Sequence, residues 1–163
     1  MEIRMTINKK QLLECVIRPT LEAIGKNSKS AVNLLLYTAA TESNLGTYIR
    51  QMKPGPALGI WQHEPRTYYE DYDLYLNRPE YSRLKEKVLN ICGYNDVPPI
   101  EALTYNLRYA CAMARIHYAR FPKELPSHDD FDGLVRYYYK YWGPNPGKTS
   151  LGKAKRRIEQ ILF

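Results

Sequence analysis

Two short segments of this chain carry residue types that could do chemistry together: Glu42-Ser43-Asn44-Leu45-Gly46 and Gly59-Ile60-Trp61-Gln62-His63-Glu64-Pro65-Arg66-Thr67. The first ends an apolar run with a carboxylic acid. The second is a Gly-aromatic-Gln turn that follows a Pro/Gly-rich loop. Breaking a glycosidic bond requires protonating a poor leaving-group oxygen, and a carboxyl does this near neutral pH when burial against apolar groups raises its pKa. Glu42 follows Leu35, Leu36, Ala39 and Ala40, which gives it such surroundings, and Ser43 can hydrogen-bond within the site. A surface glutamate near a helix end is the plainer alternative. The helix dipole argues mildly against that, because a carboxylate near a helix C-terminus is disfavoured by under ~1 kcal/mol when exposed.

In the second segment Gly59 permits a tight turn, and Gln62 offers both a donor and an acceptor, which suits an N-acetyl group. Trp61 is either core or a sugar platform. A second carboxylate lies about 5 Å from the first in retaining glycosidases and roughly 6.5–9.5 Å away in inverting ones. Glu64, Asp71 and Asp73 are the nearby acids; Glu64, just before Pro65, is expected to cap a helix.

Helices must position these residues. Asn8 caps a first helix that carries Leu12, Leu13, Val16, Ile17, Leu21 and Ile24, with Pro19 as a kink or break and Gly25 as its stop. Ser28 or Ser30 caps a second, Ala31 to about Ser43, which is apolar on nearly every side and so belongs at the centre of the molecule with Glu42 at its end. Residues 45–58 are a loop, or a short hairpin with a loop at its tip. A third helix starts at Pro65 and runs to about Leu76, and a fourth spans about Glu80 to Ile91 before Gly93. A long fifth is expected from Pro98-Pro99 to about Arg120. Asp129 or Asp130 caps a sixth that reaches Trp142, Gly143-Pro144-Asn145-Pro146-Gly147 forms a rigid loop, and Ser150 caps the last, ending at Leu162. There is no internal repeat or interdomain linker. The expectation is a single, mainly α domain over residues 1–163 with at most a small β-hairpin.

Bulk properties narrow the function. The chain has 163 residues, 44% hydrophobic and 25% charged, which is a globular composition long enough for a core. Its fifteen tyrosines suit a ringed, polar partner such as a sugar or nucleic acid, although many belong at helix–helix contacts. A net charge of +7 favours polyanions: nucleic acid, an anionic membrane or bacterial cell-wall polymer. Cys15, Cys92 and Cys111 are far apart, lie among apolar residues and read as reduced core thiols. His63, His117 and His128 are scattered, so no metal site is expected. No signal peptide is visible, and the longest apolar stretch, Ala31 to Ala40, is too short to span a bilayer.

Together the two segments resemble the lysozyme-like superfamily, in particular the lytic transglycosylase SLT domain and its phage relatives. Glu42-Ser43 matches the family's Glu-Ser at the end of a buried helix. Gly59-Ile60-Trp61-Gln62, with Pro65 and Thr67, matches its Gly-Leu-Met-Gln motif followed by Pro-x-Thr. The similarity covers about 26 residues, 42 to 67. Tyr105-Asn106-Leu107 is similar to the family's Asn-bearing helix. Its final Ala-Tyr-Asn-Ala-Gly motif is not present as such. Tyr137 is the nearest equivalent of that motif's tyrosine, which in the family bonds near the catalytic glutamate, with Tyr138 and Tyr139 as alternatives.

The resemblance implies a lysozyme-like fold and cleavage of the β-1,4 bond between N-acetylmuramic acid and N-acetylglucosamine, with Glu42 catalytic and Ser43, Trp61, Gln62, Asn106 and Tyr137 binding substrate. It implies no metal or organic cofactor. The partner is bacterial peptidoglycan, with other virion proteins as further candidates and no nucleic acid expected. The protein would be a phage endolysin or virion-associated enzyme, made in the host cytoplasm and acting on the wall after release. A hydrolytic muramidase of the same fold and a non-catalytic wall-binding or virion module are the alternatives. A helical nucleic-acid binder using residues 136–141 and 153–157 is a weaker one. A cysteine hydrolase is weaker still, because no cysteine has a setting that favours a thiolate.

Overall fold

Helix α3 (Lys29–Ser43) is the axis of the structure, and its sequence explains why. From Ala31 to Ser43 only Asn33 and Glu42 escape full burial, so every face of the helix needs a neighbour. Each fully buried leucine, such as Leu34 and Leu35, contributes about 2 kcal/mol of apolar transfer. The Ser28 Oγ caps the helix by accepting from the Ala31 N–H.

The computed structural model describes residues 5–52, 54–144, 147 and 149–163, and it is mainly helical. Its other helices are α1 (Lys9–Leu12), α2 (Arg18–Ala23), α4 (Pro65–Asp71), α5 (Ser82–Ile91), α6 (Ala102–Tyr105), α7 (Leu107–Ala119), α8 (Phe131–Tyr141) and α9 (Leu151–Leu162). Helices α8 and α9 pack on α3 and on each other, and α7 also touches α3 while gathering α2, α4 and α5 around itself. The buried side chains of all these layers form one apolar cluster. Among the described residues no helix is long and apolar enough to cross a membrane.

The expected ends at Leu76 and Ile91 hold, and four details of local geometry go beyond the expectation. Pro19 does not break the first helix: the turn before it, Leu13–Ile17, widens to π geometry, with the Arg18 N–H bonding the Leu13 carbonyl five residues back. The third helix likewise ends in a π turn, Tyr72–Leu76. A 3₁₀ turn, Pro79–Tyr81, leads into α5. The expected long fifth helix is two helices, because Asn106 adopts an extended conformation (φ −107°, ψ 97°) and its side chain caps α7 through the Tyr109 N–H. The segment 45–58 forms no strand among its described residues. Its pairing is reduced to isolated antiparallel bridges, Arg50 with Leu58 and Leu58 with His63. Asp130 rather than Asp129 caps α8, and Ser150 caps α9. The expected 143–147 loop lies partly outside the described residues.

The cysteines are not all core thiols. Cys111 is buried and Cys92 partly so, whereas Cys15 is exposed. In the first helix Cys15 falls on the solvent side, between inward-facing Leu12 and Val16.

Candidate functional site

Where α3 ends, the backbone makes an uncommon turn. Asn44, Leu45 and Gly46 all have positive φ (49°, 55° and 77°), and Leu45 is buried despite it. A leucine takes up this conformation only where its surroundings fix it. Here the Leu45 N–H bonds the Ala39 carbonyl and the Leu45 carbonyl accepts from the Ile7 N–H at 2.9 Å. Among the described residues the one other non-glycine with positive φ is Gln62, at 52°. The strained backbone is therefore concentrated in the two segments that carry the candidate chemistry.

Ser43 joins those segments. Its side chain is fully buried, and its hydroxyl donates to the Ile60 carbonyl at 2.6 Å while accepting from the Gly46 N–H at 2.9 Å. It therefore fixes the end of α3 against the Gly59–Gln62 turn, and its hydroxyl does not line the groove. Trp61 is likewise core, 1% exposed, with its indole Nε1–H on the Leu35 carbonyl at 2.9 Å. This corrects its assignment as a sugar-binding residue. Gly59 has φ 79°, and a Cβ there would lie 2.2 Å from the Leu103 carbonyl oxygen, so both the dihedral and the space require glycine.

A groove of about 580 Å³ opens beside this junction. Glu42 and Gln62 both line it, joined by Tyr48, Glu64, Thr67 and Tyr138. Glu42 is half-buried, and the Tyr138 hydroxyl donates to its Oε1 at 2.6 Å. Burial pushes the Tyr138 hydroxyl well above its ordinary pKa, and the Glu42 charge pushes it further, so Tyr138 stays a donor. Tyr138, not Tyr137, is the tyrosine at the glutamate. Successive residues on α8 turn by about 100°, and Tyr137 consequently donates to the Lys123 carbonyl, while the Tyr139 hydroxyl faces the Thr149 carbonyl. Gln62 fixes its own turn, its Nε2 donating to the Gly59 carbonyl at 2.9 Å. Arg157 forms part of the wall and donates to the Thr41 carbonyl at 3.1 Å, satisfying one of the orphan carbonyls at the end of α3.

Asn106 is not in the groove. It caps α7, and its Nδ2 donates to the Cys92 carbonyl, which corrects its assignment to substrate binding. The three acids considered as second carboxylates separate clearly. Glu64 is exposed on the groove wall, at the N-cap position of α4 but without a side-chain capping bond. Asp73 is exposed and does not line the groove. Asp71 is fully buried in a polar cluster.

That cluster shows that the histidines scattered in sequence are not scattered in space. His63 Nε2 lies 2.9 Å from Asp71 Oδ2, and His117 Nδ1 lies 3.2 Å from Asp71 Oδ1. Arg120 pairs with Asp71 Oδ1 at 3.2 Å, and His117 Nε2 donates to the Tyr141 carbonyl at 2.7 Å. Burial alone would push the Asp71 carboxyl up, but hydrogen bonds from His117 and His63 outweigh it and hold it below the ordinary value. Burial lowers the pKa of His63. The His63, Asp71 and His117 donor atoms lie within 4.8 Å of one another, close enough to consider a cation. The Arg120 guanidinium already supplies positive charge to the carboxylate, so the cluster has the charge balance of a buried ion-pair network without a cation. No spacing in the sequence announces it: the segment from His63 through α4 meets the C-terminal end of α7, which brings His63 and Asp71 to His117 and Arg120. Trp142 was also not foreseen here; it lines the groove and packs edge-on against both histidines.

Comparison with protein-family models, curated proteins and solved structures gives no match to this chain.

Proposed function

We propose that this protein cleaves the β-1,4 bond between N-acetylmuramic acid and N-acetylglucosamine in bacterial peptidoglycan, as a lytic transglycosylase with Glu42 as its single acid/base and a lysozyme-like fold. The observation that carries this reading is the position of Glu42: at the end of the most buried helix, facing a groove, with one oxygen held by Tyr138 and the Gln62 turn in the same groove. A fixed carboxyl in a polar cleft is what protonation of a glycosidic oxygen needs. Glu42 gives its proton to the leaving oxygen as the bond to the anomeric carbon breaks. The carboxylate then takes the proton of the muramyl 6-hydroxyl as that oxygen bonds to the same carbon. The product is a 1,6-anhydro sugar and no water is consumed. The net charge of +7 suits an anionic wall. Virion association, or host synthesis followed by release at lysis, would bring the enzyme to that wall.

Hydrolysis by the same acid is the second reading, favoured by one observation: Glu64 is exposed in the same groove and available to activate water. Mass spectrometry of peptidoglycan digests separates the two. Anhydromuramyl products support the transglycosylase, and products one water heavier support the hydrolase. A folded protein that binds wall material and releases nothing is a non-catalytic module.

A further inference from the structure

His63 holds a hydrogen-bonding atom that the fold leaves unused. The residue is 2% exposed and lines the groove next to Gln62. Its Nε2 faces the Asp71 carboxylate, which only accepts, so Nε2 carries the ring proton of the neutral imidazole. Nδ1 is then a bare acceptor, and it is fully buried with no partner. Buried polar atoms are almost always satisfied, and leaving one unmade costs about 1–3 kcal/mol. The two neighbouring groups follow the rule: His117 Nε2 has the Tyr141 carbonyl, and the Asp71 oxygens have His63, His117 and Arg120. Among the described residues Thr20 Oγ1 and Arg120 Nη1 also lack a hydrogen-bond partner, but neither residue lines the groove, whereas His63 does.

We propose that His63 Nδ1, with its tautomer set by Asp71, is the groove's acceptor for a saccharide donor, a hydroxyl or an acetamido N–H, once a small displacement of the groove wall uncovers it. This rests on the carbohydrate reading above and deepens it. Asp71 orients the ring without touching the ligand, and the hydrogen bonds from His117 and His63 keep its carboxyl below the ordinary pKa so that it goes on accepting. The groove then combines an acid at Glu42, a donor–acceptor amide at Gln62 and a pure acceptor at His63. That complement fits a neutral sugar rich in O–H and N–H groups better than an anion.

The test uses the full chain carrying Glu42→Gln, so that nothing is turned over, uniformly labelled with ¹⁵N and titrated with the N-acetylglucosamine tetramer. The His63 Nδ1 resonance is expected to move upfield on saturation while Nε2 keeps its proton. Adding His63→Gln retains an N–H toward Asp71 but removes the Nδ1 acceptor. That variant should keep its thermal midpoint within a few degrees and bind the tetramer about tenfold more weakly, as expected for one lost hydrogen bond. If the tetramer shifts the Gln62 backbone amide but leaves Nδ1 unmoved, the inference is overturned and the glycosidase reading stands. If no resonance responds at saturating tetramer, the carbohydrate reading of the groove falls and takes this inference with it. If added zinc removes the Nε2 proton, the cluster is a metal site and the tautomer assignment fails.

Discussion

Glu42 and Tyr138 form the pair on which the site turns. The phenol donates to the carboxyl from a buried position, so it restrains one oxygen without supplying a proton to the reaction. Tyr138→Phe removes that restraint and nothing else of comparable size. The expected result is a folded protein whose kcat on peptidoglycan falls about 10- to 100-fold, the effect of one hydrogen bond to a charged group. Steady-state turnover alongside circular dichroism checks it; unchanged kcat would mean that the bond is incidental. The tyrosine was beyond the reach of the sequence because Tyr137, Tyr138 and Tyr139 are consecutive, and only the rotation of α8 against α3 selects among them. Glu42 and Gln62 were legible because their positions, at the end of an all-apolar helix and in a glycine turn, are local facts.

At the scale of elements, capping residues marked most boundaries: Asn8, Ser28, Asp130 and Ser150 each accept from a first-turn N–H. The π turns were not legible. The Leu13–Ile17 turn preserves the apolar spacing around it, so nothing in the pattern signals a five-residue step. Asn106 illustrates the opposite difficulty. The residue was noticed, but a continuous apolar stripe from Leu103 to Tyr118 concealed its role as a cap between two helices. Replacing Asn106 with alanine should lower stability by about 1 kcal/mol, seen as a thermal midpoint roughly 2–4 °C lower, with kcat and KM on peptidoglycan unchanged. A rise in KM without loss of stability would return Asn106 to the binding site.

Across the whole molecule, the His63–Asp71–His117 network ties the segment around α4 to α7, and this gives stability a specific dependence on pH. His63 has its pKa lowered by burial from the ordinary value of 6.5, so the unfolded chain takes up that proton first. The associated stability is complete above about pH 6.5 and is lost as pH falls below it. Asp71, held below its ordinary value of 3.8, adds stability that is complete above that point and lost as pH falls further. Thermal midpoints should therefore decline from near pH 6.5 downward and again in strong acid, and His63→Gln should lack the first decline. A wild-type midpoint constant between about pH 7 and 4.5 would contradict the network as described. Long-range assembly of this kind, from α4, α7 and the Gln62 turn, depends on packing that local patterns do not encode.

The most direct test of the central claim compares peptidoglycan digestion by wild type and Glu42→Gln at equal concentration and verified folding. Glutamine keeps the shape and the bond from Tyr138 but has no proton to give. The account predicts anhydromuropeptide release by wild type and a rate at least about 10³-fold lower for the variant. Equal release by the two proteins, or none from a folded wild type, would contradict it.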